Sequence, residues 1–264
     1  MSDAVLYEVR GRTALITLNR PERLNAWNDD LAKGYFNSLD TAAADSNVRA
    51  IVVTGAGRGF CAGADMDVLQ GIESGSNDDG GEPDRRDATY AMGIPKPIIA
   101  AVNGACAGLG LVHALACDVR FAAEGAKFTV AFSRRGLIAE HGLSWTMPRL
   151  VGQSVALDLI MSGRVFLSDE AKELGVVNRV CAPDALIDEA MAYADDLAAN
   201  VSPTSMAVMK HQIYNHPMMP LSEAMVESNR FMHESLRRPD FKEGVSSFVE
   251  KRPPNFAPYS SESD

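Results

Sequence analysis

The sequence predicts an α/β fold whose last third is helical. Three observations carry this. Short apolar and β-branched runs ("ALITL", "AIVVTG", "PIIAAV", "DVRFAA") recur between amphipathic stretches, the pattern of strands alternating with helices. Glycine-rich turns follow two of those runs, "GRGFCAGADM" at 57–66 and "NGACAGLGL" at 103–111. From Pro183 onward the periodicity is that of helices alone.

The elements follow in order. "VLYEVRGRTALITL" alternates on both sides of Gly11-Arg12 and reads as a hairpin. Asn28 offers an N-cap for an amphipathic helix to about Ala44. "RAIVVTGAG" suits a buried strand. "QGIESGSNDDGGEPDRRDATYAMG" (70–93) reads as an exposed, mobile loop with one helical turn. "KPIIAAVNGACAGLGLVHALACDVRFAA" repeats the plan of strand, glycine turn, apolar helix and second strand. Ser168 is expected to cap "DEAKEL", with Gly175 as its stop and "VVNRV" as a last strand. Helices are expected over Pro183 to about Ala199, Pro203 to about Tyr214 and Leu221 to about Arg238.

A chain of 264 residues that is 46% hydrophobic and 23% charged can bury the core of one large domain with a helical appendage. No run approaches the roughly 18 consecutive apolar residues of a membrane span. The first residues lack the basic start and apolar block of a signal peptide. Four cysteines, Cys61, Cys106, Cys117 and Cys181, lie among small apolar neighbours without framework spacing. Reduced core thiols in a cytoplasmic protein are therefore expected. A net charge of −10 argues against nucleic acid as a partner. An anionic small ligand would need locally placed cations or backbone N–H groups.

The two glycine turns each lead from a strand into a helix. The first N–H groups of a helix lack intrahelical acceptors, and the helix dipole favours negative charge there. Two such turns face to face would aim two donors at one oxygen, an oxyanion hole. The same glycines also suit tight strand–helix packing, and that reading stays open. A dinucleotide fingerprint fits poorly, because position 60 is Phe and position 113 is His.

"GLIAEHGLSW" (136–145) adds Glu140 and His141. Glu140 is an acid–base group, a surface ion pair or the cap of a helix starting near Leu143. His141 is structural or orients Glu140. His113 and Cys117 share a helix face without further metal-ligand partners, so His113 is expected to be a core imidazole with a local hydrogen-bond partner. Trp145 lines an acyl pocket or anchors its helix.

Taken together, "ITLNRPERLNAW", "AIVVTGAGRGFCAGADM", "KPIIAAVNGACAGLGL", "ACDVRFAAEGAKF", "PRLVG", "SGRVFLSDEAKELGVVNRV" and "FKEGVSSFVEKRPPNF" resemble the crotonase, or enoyl-CoA hydratase/isomerase, superfamily. The resemblance runs almost end to end, with 68–92 the main variable segment. It implies a spiral core of ββα units over 1–200 and a helical trimerisation region over 201–264, often assembled into hexamers. It also implies a coenzyme A thioester as substrate and no permanently bound cofactor or metal. By position, the backbone N–H groups of Ala64 and Leu109 would form the oxyanion hole. Arg23, Leu24, Ala62, Asp65 and Met66 would border the coenzyme, and Phe241 and Lys242 would reach the coenzyme of a neighbouring subunit.

Hydratases of this family use two glutamates. Their positions here hold Val112 and Phe132, neither able to hydrogen-bond water. Glu140 matches the single acid of Δ3,Δ2-enoyl-CoA isomerases, so isomerisation of an acyl-CoA is the expected reaction. Val112, Phe132, His141 and Trp145 would form the substrate pocket. A hydratase, hydrolase or lyase with a non-standard acid–base group is the alternative enzyme. A non-catalytic acyl-CoA binder is the alternative of another class.

Overall fold

The computed structural model describes residues 4–68, 70, 84 and 86–259. Most of the loop expected at 70–93 lies outside the described residues. Its end is tethered, with the Arg86 guanidinium donating to Asp84 and Asp40 and lying 4.9 Å over the Phe36 ring.

Strands β1 (Val5–Arg10) and β2 (Thr13–Leu18) form the expected hairpin, Val5 opposite Leu18. A short strand, β4 (Gly59–Cys61), follows β3 (Ala50–Gly55), and β6 (Ala105–Ala107) follows β5 (Ile98–Val102). In the same way β8 (Lys127–Thr129) follows β7 (Val119–Ala123), before β9 (Phe166–Leu167) and β10 (Arg179–Cys181). The six longer-range strands pair as β1-β2-β3-β5-β7-β10, parallel except for the opening hairpin. The short ones pair as β4-β6-β8-β9, with only β9 antiparallel. The chain therefore steps three times from the large sheet to the small one, the repeating unit of a crotonase-type spiral. "GFC" and "ACA" were expected as turns. Three residues are too few to show a strand period.

Helix α1 (Asp29–Ala44) starts where expected, with the Asn28 side chain accepting from the Leu31 N–H at 3.0 Å. It buries Leu31, Tyr35, Phe36 and Leu39 on the sheets. Helix α2 (Leu109–Ala116) is buried at every residue after Leu109. Helices α3 (Leu143–Val151) and α4 (Gln153–Ser162) follow, then α5 (Ser168–Glu173). Ser168 does not cap α5, because its buried hydroxyl accepts from the Gly125 N–H at 2.9 Å and ties α5 to the β7–β8 turn. Helix α6 (Leu186–Asn200) covers the other face of the large sheet, packing Leu186, Ala190 and Ala194 on Leu15, Val52, Ile99 and Phe121. Helix α7 (Pro203–Asn215) is capped by Ser202. The helix expected from Leu221 to about Arg238 is α8 (Leu221–Ser235), and a further helix, α9 (Pro239–Glu250), follows it. Pro239 opens α9 because a proline ring suits the first helical turn and not the interior.

Candidate active site

The two glycine turns meet. The Trp27 N–H donates to the Gly63 carbonyl at 2.7 Å and the Asp65 N–H donates to the Trp27 carbonyl at 2.9 Å, a parallel bridge that straddles Ala64. This uses the Gly63 carbonyl and the Asp65 N–H on either side and leaves the Ala64 N–H out of the ladder. Leu109 is the first residue of α2, so its N–H has no intrahelical acceptor. Among the described residues neither N–H has an acceptor in the chain. Gly63 has φ 99°, and a Cβ there would stand 3.0 Å from the Ala107 carbonyl oxygen and 3.7 Å from the Leu109 nitrogen. Only glycine brings the turns this close. Gly110 serves packing, since a Cβ on it would lie 2.1 Å from the Cys61 carbonyl oxygen. The packing reading therefore applies at Gly110, while Gly63 allows the close approach of the two turns.

Ala64 and Leu109 line one cavity of about 240 Å³, together with Arg23, Ala62, Asp65, Met66 and Phe132. The coenzyme-side candidates are thus brought together, except that Leu24 does not line it. Leu24 instead holds Ala62, whose N–H donates to the Leu24 carbonyl at 3.0 Å. The Asp65 carboxylate is engaged within the chain. Its Oδ2 accepts from Arg20 Nη2 at 2.8 Å, and Arg20 Nη1 also donates to the Ala26 carbonyl at 2.6 Å. Burial raises the Asp65 carboxyl, but the hydrogen bond and charge of Arg20 outweigh it and hold the group below its usual range. Arg20 was not anticipated. Neither was Arg135, which lines the cavity beside Phe132 and donates to the Ala131 carbonyl at 3.2 Å. The basic pair in "SRRG" was the available signal.

Val112 and Phe132 are buried in the core around α2. Phe132 reaches the cavity and Val112 does not line it. Glu140 is not part of the cavity lining either. It lies in the turn before α3 with its side chain 32% exposed, and its backbone N–H donates to the Ile138 carbonyl at 2.9 Å. It does not cap α3, whose N-cap is Gly142. His141 Nε2 stands 3.3 Å from Glu140 Oε2, although neighbouring residues were expected to face apart. The reason is the His141 backbone, at φ 54°, in the left-handed region. The imidazole centre lies 6.5 Å from that of Phe132, which links the Glu140–His141 pair to the cavity wall.

Trp145 belongs elsewhere. It lines a second cavity, with Met206, Lys210 and Tyr214, and donates from Nε1 to the Met218 sulfur at 3.4 Å. The turn of α3 faces Leu143, Thr146 and Met147 inward instead. Phe241 and Lys242 sit on α9. Phe241 is half exposed and lines a third cavity, within the helical tail. His113 is a core residue as expected, but without the expected partner. Its Nδ1 is buried and without a hydrogen-bond partner among the described residues. Burial, aided by the charge of His141, pushes the imidazole down to about 3. All four cysteines are free and buried. Burial pushes Cys61 up to about 12, which disqualifies it as a nucleophile near neutral pH. Among the described residues no three His, Cys, Asp or Glu side chains cluster as metal ligands, and no helix is long and apolar enough to cross a membrane.

A family model for enoyl-CoA hydratase/isomerase matches residues 8–258. The chain belongs to this family of the crotonase superfamily. It is 35% identical over 261 residues to the 1,2-epoxyphenylacetyl-CoA isomerase of Escherichia coli K12, covering 97% of this chain and 99% of that one. Among solved structures, an enoyl-CoA hydratase of Mycobacterium marinum, EchA12_1, is 50% identical, with TM-score 0.71 over 82% of this chain and 100% of that one. The enoyl-CoA hydratase of Mycobacterium tuberculosis H37Rv is 30% identical, with TM-score 0.86 over 97% and 99% of the two chains. Membership makes the chain an enzyme rather than a non-catalytic binder, and its family relatives include hydratases and an isomerase alike.

Proposed function

We propose that the enzyme moves a double bond within an acyl-CoA thioester, Δ3 to Δ2, using Glu140 as the single proton shuttle. The cavity beside the paired turns would take the thioester, with the Ala64 and Leu109 N–H groups on its carbonyl oxygen. Polarising that carbonyl stabilises the dienolate formed when the C2 proton leaves. Glu140 takes this proton from C2 and returns it at C4, so the chemistry closes without water or cofactor. The observation that carries this reading is the poverty of carboxylates at the cavity. Among the described residues its lining holds one, Asp65, which is bound to Arg20, while the hydratase positions hold Val112 and Phe132. Glu140 adjoins that wall through His141. The relative named 1,2-epoxyphenylacetyl-CoA isomerase supports isomerisation of a CoA thioester in general.

The hydratases among the relatives favour a second reading, addition of water to a 2-enoyl-CoA. Incubation in ¹⁸O-labelled water decides between them. Only hydration places the label in the product, and isomerisation leaves it unlabelled.

In this reading residues 1–200 form the catalytic core and 201–264 the region through which three copies, or two threes, associate. The apolar residues that the tail leaves outward support it: Val226 is 72% exposed, Phe248 85% and Val249 72%. Arg23, with its neighbours Leu24, Ala62, Asp65 and Met66, would border the coenzyme, and Phe241 and Lys242 would reach it from the next subunit. Light scattering on the eluting protein gives the mass that tests the assembly.

A further inference from the structure

The indole of Trp27 and the imidazole of His113 lie face to face, with centroids 3.8 Å apart and planes at 23°. Each ring belongs to one half of the proposed oxyanion hole. Trp27 is the backbone partner of the Gly63–Asp65 segment, so any shift of Trp27 carries Ala64 with it. His113 lies one helical turn beyond Leu109 on the short, rigidly buried α2. The stack is enclosed on its other sides, with Tyr35 at 5.3 Å and Phe36 at 6.0 Å from the imidazole centre, both edge-on. Among the described residues the fully buried His113 Nδ1 has no hydrogen-bond partner. A buried nitrogen is ordinarily bonded, and one left unbonded weakens a fold.

We propose that the Trp27–His113 stack is the brace that sets the spacing between the Ala64 and Leu109 donors, which makes His113 a positioning residue and neither an acid nor a base. The proposal rests on the oxyanion reading of those two N–H groups. A flat ring at position 113 holds the distance between the turn and the helix, and side chains without a flat face let the two relax independently. Because the donors act most strongly on the negative oxygen of the dienolate, relaxation lowers kcat and leaves KM nearly unchanged.

The test compares His113→Phe, His113→Leu and His113→Ala in the intact enzyme. Each is assayed for isomerisation of a 3-enoyl-CoA. Each is also bound to a saturated acyl-CoA carrying ¹³C at the thioester carbonyl, whose infrared stretch reports polarisation. The expected result is that His113→Phe keeps kcat and the lowered carbonyl frequency. His113→Leu and His113→Ala lose about tenfold or more in kcat, the scale of small misplacements in an active site, and the frequency returns toward that of the free thioester. Should His113→Ala not fold, His113→Leu, close to His in volume, answers alone. A kcat that collapses in His113→Phe while the carbonyl stays polarised overturns the proposal in favour of a chemical role for the imidazole. Full kcat and an unchanged frequency in His113→Leu overturn it in favour of plain packing. No frequency shift in the wild-type complex removes the oxyanion reading itself, and the brace with it.

Discussion

Nε2 of His141 lies 3.3 Å from Oε2 of Glu140, a contact between sequence neighbours that the left-handed backbone of His141 makes geometrically possible. Both side chains are about a third or more exposed, so their attraction contributes little to stability. Its consequence is for orientation. Replacing His141 by Ala is expected to lower kcat roughly tenfold, below the loss of about 10²–10⁴ for removing an acid–base group outright. His141→Asn, which tolerates the left-handed conformation and keeps a donor, is expected to recover part of that loss. Steady-state kinetics on the two variants check this.

The Arg20–Asp65 pair fixes the turn that carries Ala64. Asp65→Ala leaves a largely buried guanidinium without its counter-ion and is expected to cost about 3 kcal/mol in denaturant unfolding. Replacing both residues by apolar side chains of similar volume is expected to cost less. A single substitution that leaves the unfolding midpoint in place contradicts the assignment.

Gly110→Ala tests how tightly α2 is seated. The new methyl would meet the backbone oxygen of Cys61 at 2.1 Å, where no side chain can yield. A loss of about 3 kcal/mol, at the upper end of overpacking costs, is expected by thermal or chemical denaturation.

His113 makes stability acid-sensitive. Its folded value near 3 lies below the ordinary 6.5 because burial disfavours the charged ring. Stability is therefore complete above about 6.5 and is lost as pH falls from there toward 3. At pH 4 the loss amounts to on the order of 3 kcal/mol, at 1.36 kcal/mol per unit. The expected outcome is that His113→Phe flattens this limb of the unfolding curve relative to wild type. Parallel limbs would contradict it.

Much of this molecule was legible in the chain. The hairpin at Gly11-Arg12, the Asn28 cap and the alternation of long strands with helices follow from local chemistry, and they appear where the sequence predicts them. The small sheet was not legible, because β4 and β6 are three residues each and owe their existence to neighbours across the turn. Ser168 illustrates the same limit. A serine before an acidic run resembles a cap, yet a tertiary acceptor role at Gly125 won. Within the site, the paired turns with Ala64 and Leu109 were readable from glycine spacing and family likeness. Arg20, the Trp27–His113 stack and the displacement of Trp145 from the cavity were not, since each depends on which helix face meets which turn.

The central claim is that Glu140 alone moves the proton. Isomerisation of a 3-enoyl-CoA and hydration of a 2-enoyl-CoA, each measured with wild type and Glu140→Gln, test it most directly. The account predicts isomerisation in the wild type that falls by about 10²-fold or more in Glu140→Gln, the scale for loss of a general base, with little hydration in either protein. Robust hydration that survives the substitution would contradict it and return Glu140 to a surface contact with His141.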